Sequence, residues 1–108
     1  MISDNKDKTI RLDLNNPVFQ RNLFNLGKND QRNILNTCKK LTKMTWQQLY
    51  SDQGLKWEVI LSKKGPEGYR LYTFQIGKGF RASGYRERLW LRILSLHPDH
   101  DSAYKSVN

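Results

Sequence analysis

Cysteine is almost absent from this sequence of 108 residues, since Cys38 is the only one. A single cysteine allows no disulfide within the chain and no zinc site built from several thiolates. Long apolar runs are also missing: no segment approaches the roughly 20 apolar residues of a membrane span, and the N-terminal segment lacks the apolar stretch of a signal peptide. These absences favour a soluble protein in a reducing, cytoplasmic setting, with Cys38 packed as a small apolar side chain.

Acidic residues are few relative to basic ones, 10 against 19, so the formal net charge is +9. Such an excess causes self-repulsion and favours polyanionic partners, either nucleic acid or an acidic protein. The excess is greatest over residues 55–97, which carry nine basic and three acidic side chains. Length and apolar content predict one folded domain over 9–108, after a polar, frayed segment at 1–8.

The N-terminal part of the folded region is predicted to begin with a strand and a short helix. Residues 9–14 alternate between apolar and polar side chains, which is typical of a half-buried strand. Asn16 followed by Pro17 suits the start of a helix, because asparagine caps well and proline fits the first helical position. Gly27 marks the end of this helix.

Two further helices are predicted before the period of the apolar residues changes. Apolar residues recur at spacings of three and four after residue 30, with Asn29 or Asp30 as the N-cap. Thr45 and Gln48 then have the spacing of a capping box, in which each side chain bonds to the other's backbone N–H. A third, short helix should therefore begin at Thr45.

The C-terminal half is predicted to consist of strands, because the period changes to two and β-forming residues concentrate. The predicted strands are 55–61, 69–76, 80–85 and 89–96. Their connectors are short, which indicates consecutive antiparallel hairpins, and the last strand is apolar on both faces and should be central. The expected fold is α+β: a single two-layer domain, β-α-α and then an antiparallel meander, with the helices on one sheet face.

Arg81 is the first candidate for chemistry. Alternation places it with Ser83 and Tyr85 on the sheet face that the helices leave free. Its planar guanidinium offers paired donors for a phosphate and keeps its charge. The alternative is a solubilising arginine paired with Glu58 or Glu87.

The tail after the last strand is the second candidate, because both histidines and a tyrosine lie within eight residues. These residues are His97, Asp99, His100, Asp101 and Tyr104. Imidazole and carboxylate suit a transition metal, although no familiar ligand spacing is matched. A polar C-terminal turn and a general acid–base site are the other interpretations.

Metal-independent RNA cleavage would use these residue types together. It requires a base for the 2′-hydroxyl, a cation for the phosphate and an acid for the leaving 5′-oxygen, and no cofactor. Basic side chains would hold the RNA backbone and aromatic ones would stack on bases. The candidate binding residues are Lys56, Lys63, Lys64, Arg70, Lys78, Tyr85, Arg86 and Arg88.

The element order, the tracts GYRLY at 68–72 and FRASGY at 80–85, the apolar last strand and the His/Asp/Tyr tail resemble the RelE/ParE superfamily of bacterial toxins. The resemblance implies an endonuclease that cuts mRNA in the A site of the 70S ribosome and is inhibited by a cognate antitoxin protein. It implies that Arg81 contacts the scissile phosphate, that Tyr104 is the C-terminal aromatic residue and that Glu58 is the base. His97 or His100 matches the acid–base histidine.

Two departures from the family bear on the site. Asp99 and Asp101 stand where a basic loop is expected, which favours a histidine-based site, and the insertion 62–68 lengthens the first hairpin. Two other functions stay open. One is that of the ParE branch, which the resemblance implies to poison DNA gyrase. The other is a basic module that binds RNA, DNA or an acidic partner without catalysis.

Overall fold

The computed structural model describes residues 8–99, so residues 1–7 of the predicted frayed segment 1–8 and the tail from His100 onward lie outside the described residues. The helices are α1 (Pro17–Phe24), α2 (Lys28–Leu41) and α3 (Trp46–Ser51). The strands are β1 (Arg11–Asp13), β2 (Glu58–Lys64), β3 (Arg70–Gln75), β4 (Phe80–Glu87) and β5 (Trp90–Pro98).

The five strands form one mixed sheet in the order β1-β5-β4-β3-β2. Strands β2 to β5 pair antiparallel in succession, as the meander prediction requires. The sheet nevertheless differs from a simple meander, because β1 lies parallel to β5 at the far edge. The chain leaves β1 through three helices and re-enters the sheet at the opposite edge. The α+β class and the central position of β5 are confirmed.

The core lies between the helices and one face of the sheet. Fully buried side chains come from both layers. They include Phe19, Ile34, Leu41, Phe74, Ile76, Ala82, Leu91 and Ile93. Cys38 packs in this core with 5% exposure, and burial raises the pKa of its thiol to about 11. Within residues 8–99, no helix has the length and apolar character to span a membrane.

Local capping signals explain where two of the helices begin. The Asn16 side chain accepts a 2.8 Å hydrogen bond from the Val18 N–H, and Pro17 occupies the first helical position of α1. At α3, Gln48 N–H donates to Thr45 Oγ1 at 3.2 Å while Thr45 N–H donates to Gln48 Oε1 at 3.0 Å. Both predicted starts are confirmed.

The start of α2 differs from the prediction. Its N-cap is Gly27, not Asn29 or Asp30, and no side chain caps the helix. Asp30 instead lies in the first turn, where a carboxylate interacts favourably with the helix dipole. The Gln31 side chain donates to the Leu23 carbonyl at 3.0 Å, which ties the start of α2 to α1. This contact joins two helices, so the local sequence pattern does not reveal it. It accompanies the earlier start of α2.

The predicted strand 55–61 begins three residues too early, because β2 begins at Glu58. Leu55 is buried in the core, and its carbonyl accepts a 2.7 Å hydrogen bond from the Gln75 N–H. Lys56 then has a φ of 49°, a left-handed conformation that interrupts extended backbone. Strand β2 therefore begins at Glu58 and continues to Lys64, into the segment predicted as a connector.

The pairing of β4 with β5 contains a bulge, with a register shift between Ser83 and Gly84. A Cβ atom on Gly84 would lie 2.6 Å from the Arg92 carbonyl oxygen and 3.3 Å from the Ile93 Cα. Both neighbours are backbone atoms of β5. The close approach of the two strands here therefore requires glycine.

We expect Gly84→Ala to lower the free energy of unfolding by about 1–3 kcal/mol, because backbone must move to admit the methyl group. Chemical denaturation measures this loss. Gly27→Ser is the control, since a Cβ there meets no atom within 4 Å and serine is a good N-cap. Equal stability of the Gly84→Ala chain and the wild type would contradict the bulge constraint.

Candidate functional site

Arg81 lies on β4, on the sheet face opposite the helices, and its side chain lies across β3. Its Nε donates to Thr73 Oγ1 at 3.0 Å and its Nη1 to Gln75 Oε1 at 3.4 Å. Its Nη2 donates to the Lys56 carbonyl at 3.0 Å. The side chain is 16% exposed. These bonds hold the guanidinium in one orientation on the sheet.

Glu58, at the start of β2, is the charged partner of Arg81. Its Oε1 lies 3.5 Å from Arg81 Nη2, and its side chain is 67% exposed. This is the pairing that the solubilising alternative requires, although Arg81 itself is largely covered. Ion pairs that involve exposed side chains contribute about 0–1 kcal/mol. The Arg81–Glu58 ion pair therefore contributes little to the stability of the fold.

His97 lies directly across from Arg81 in the β4–β5 register. Its Nε2 is 3.0 Å from Ser95 Oγ, and Ser95 Oγ is 2.6 Å from Ser83 Oγ. Partial burial, together with the positive charge of Lys63, lowers the pKa of His97. The imidazole is therefore mainly neutral at neutral pH.

A cleft of about 540 Å³ joins these residues. Its lining consists of Glu58, Ile60, Thr73, Arg81, Ser83, His97 and Pro98. The volume falls within the usual range for small-ligand sites. The structure thus brings together three of the five predicted catalytic residues, while His100 and Tyr104 lie outside the described residues.

Three of the predicted RNA-binding residues surround a second, smaller cleft. Lys63, Lys64 and Arg70 line about 130 Å³ beside Ile60, which also borders the larger cleft. The two clefts are therefore adjacent. The smaller cleft is lined by three positively charged side chains, which suits an anionic ligand.

Tyr85 and Arg86 are placed away from the larger cleft. Tyr85 is nearly buried and stacks on Tyr69, with ring centroids 4.8 Å apart. The Arg86 guanidinium lies 4.6 Å from the Trp46 ring centroid and donates to Tyr50 Oη at 2.8 Å. Strand alternation puts residue 86 on the face opposite residues 81 and 85, a signal already present in the sequence.

The other predicted binding residues are exposed at connections between elements. Lys56 precedes β2, Lys78 lies in the β3–β4 turn, and Arg88 has a φ of 58° in the β4–β5 turn. Arg88 borders a separate cleft beside Arg11. None of the three side chains lines the larger cleft.

Sequence reasoning missed three polar residues that organise the site. Thr73 and Gln75 hold Arg81, and their alternation with the buried Phe74 and Ile76 was a usable signal. Ser95 interrupts an apolar run between Ile93 and Leu96, which was also visible in the sequence. Their partners were not predictable, because strand register depends on distant residues.

An ion-pair network links three strands of the sheet near the β4–β5 turn. Arg92 donates to Asp13 at 2.6 Å and to Glu87 at 2.8 Å, which links β1, β5 and β4. The hydrogen bond from Arg92 lowers the pKa of Glu87. Glu87 is therefore the partner of Arg92 and not of Arg81.

The metal interpretation of the tail concerns residues beyond the described part of the chain, namely His100 and Asp101. Within residues 8–99, no group of three or more His, Cys, Asp or Glu side chains is arranged to hold a metal ion. Comparison of the chain with protein-family models, curated proteins and solved structures found no match. The geometry of the cleft is therefore the basis on which a function can be assigned.

We expect Lys63→Gln to raise the pKa of His97, because it removes a positive charge that disfavours the imidazolium. Titration of the His97 ring protons by NMR measures the change. Lys64→Gln is the matched control, since it removes the same charge from the next residue and should shift the titration less. An equal shift in both variants would contradict a specific Lys63–His97 interaction.

Proposed function

We propose that this protein is an RNA endonuclease of the RelE type that cleaves ribosome-bound mRNA. The observation that carries the proposal is the convergence of Arg81, His97 and Glu58 on one cleft. These three residues come from β4, β5 and β2, three strands that only the folded sheet brings together. A cation, an imidazole and a carboxylate are the groups that cleavage through the 2′-hydroxyl needs.

The proposed reaction forms a bond from the 2′-oxygen to phosphorus and breaks the bond from phosphorus to the 5′-oxygen. The proton of the 2′-hydroxyl passes to the Glu58 carboxylate, while His97 donates a hydrogen bond to the phosphate. The leaving 5′-oxygen takes a proton from water, and the hydroxide so formed recovers the proton held by Glu58. Arg81 stabilises the negative charge on the phosphate oxygens. The products are a 2′,3′-cyclic phosphate and a 5′-hydroxyl.

The adjacent basic cleft supports an extended substrate. Lys63, Lys64 and Arg70 lie next to the candidate site, where they would contact phosphates flanking the scissile one. The hydrogen bonds that Arg81 donates to β3 and to the Lys56 carbonyl orient it before substrate arrives, which reduces the entropic cost of forming the complex. Partners of the proposed enzyme are the ribosome and a cognate antitoxin, and its proposed location is the cytoplasm.

A basic module without catalysis is the second candidate. It is favoured by the fact that Arg81 already has four hydrogen-bonding partners within the protein. Under this function Arg81 would organise the sheet face, and binding would depend on the exposed lysines. The two functions differ in whether RNA is cut.

We expect the purified protein to cut mRNA on programmed ribosomes, leaving 2′,3′-cyclic phosphate ends. Arg81→Ala, His97→Ala and Glu58→Gln should each lower the rate about 10²–10⁴-fold, because each removes a group that acts on the reacting atoms. Primer extension and end-group analysis measure cleavage.

Arg32→Ala is the matched control, because it removes one exposed positive charge from α2, in the helix layer. It should leave the cleavage rate unchanged. RNA binding without cleavage would establish the non-catalytic module, and loss of DNA supercoiling by gyrase would establish the alternative toxin activity. Either result would overturn the endonuclease proposal.

A further inference from the structure

A line of three side chains connects β4 and β5 on the open face of the sheet. Ser83 and Ser95 are register partners, and their hydroxyl oxygens are 2.6 Å apart. Ser95 and His97 are two residues apart on β5, with Ser95 Oγ 3.0 Å from His97 Nε2. The imidazole thus uses Nε2 within the protein. Among residues 8–99, Nδ1 has no hydrogen-bonding partner, and His97 itself lines the cleft.

Burial of Ser83 sets the direction of these hydrogen bonds. Ser83 is 8% exposed, and within the described chain its hydroxyl has Ser95 as its hydrogen-bonding partner. A buried hydroxyl proton that is not donated costs free energy, whereas an unused lone pair costs less. The Ser83 proton therefore points to Ser95, and the Ser95 proton points to His97 Nε2.

A neutral imidazole carries one N–H and one acceptor nitrogen. When Nε2 accepts from Ser95, the proton lies on Nδ1. We propose that Ser83 and Ser95 are positioning residues that hold neutral His97 as the Nδ1–H tautomer and direct this N–H into the cleft.

The catalytic meaning of this tautomer depends on the proposed RNA cleavage. Nδ1–H donates a hydrogen bond to a phosphate oxygen of the RNA, next to the guanidinium of Arg81. Charged groups near the ring are Arg81 on β4, with Glu58 and Lys63 on β2. Protonation of His97 would turn Nε2 into a donor and force both hydroxyls to reverse. The serine pair therefore opposes the imidazolium, in the same direction as the low pKa of His97.

Long-range ¹H–¹⁵N correlation on ¹⁵N-histidine protein tests the tautomer directly. At a pH well above the titration of His97, we expect its Nε2 to show the shift of an acceptor nitrogen and its Nδ1 that of a protonated one. The spectrum of a His97→Gln chain assigns the signals. In Ser95→Ala, and more weakly in Ser83→Ala, the two nitrogens should move toward averaged shifts.

Ser51→Ala is the control, because the Ser51 hydroxyl bonds only to carbonyls within α3. It should leave the His97 shifts unchanged. A wild-type spectrum with protonated Nε2, or unchanged shifts in Ser95→Ala, would overturn the serine proposal.

Kinetics separates this inference from the function on which it rests. Ser95→Ala should lower kcat for RNA cleavage about tenfold with little change in KM, a smaller loss than removal of His97 itself. A wild-type protein that cuts no RNA would refute the endonuclease proposal, while the spectra would still decide the tautomer. Active wild type with an unchanged kcat in Ser95→Ala would overturn the positioning role alone.

Discussion

The pairing of β4 with β5 is the contact on which the rest of the structure depends. Its register sets Arg81 opposite His97 and Ser83 opposite Ser95, and the bulge at Gly84 changes the register beyond that point. A slip of β4 by one residue would turn Arg81 and Ser83 to the helix face and bring Ala82 out of the core. Site and core are therefore determined by one set of backbone hydrogen bonds, which glycine at position 84 permits.

The positive charge of the chain is used in more than one way. Arg86 and Arg92 serve the fold, one over Trp46 and the other between Asp13 and Glu87. Arg81 serves both the fold and the candidate site, because a hydrogen bond to β3 holds it on the sheet and the residue also lines the cleft. Net charge alone indicates a polyanionic partner, but the location of each cation decides which of them such a partner can reach.

Local patterns predicted most elements and the face on which each residue lies. Capping residues at 16 and 45 marked helix starts, and alternation along 80–85 placed Arg81 opposite the core. The errors arose where a distant contact overrode the local pattern. The hydrogen bond from Gln75 to the Leu55 carbonyl and the left-handed Lys56 delayed β2, and a contact to Leu23 accompanied the early start of α2.

The sequence by itself determined the α+β class, the order of elements, the open sheet face and the candidates Arg81 and His97. These follow from periodicity and residue type, which act over a few neighbouring positions. Only the tertiary structure decided that β1 lies parallel to β5, that Glu58 pairs with Arg81 and that Ser95 occupies one nitrogen of His97. Strand pairing joins residues far apart in the chain, and its register comes from the packing of the whole core.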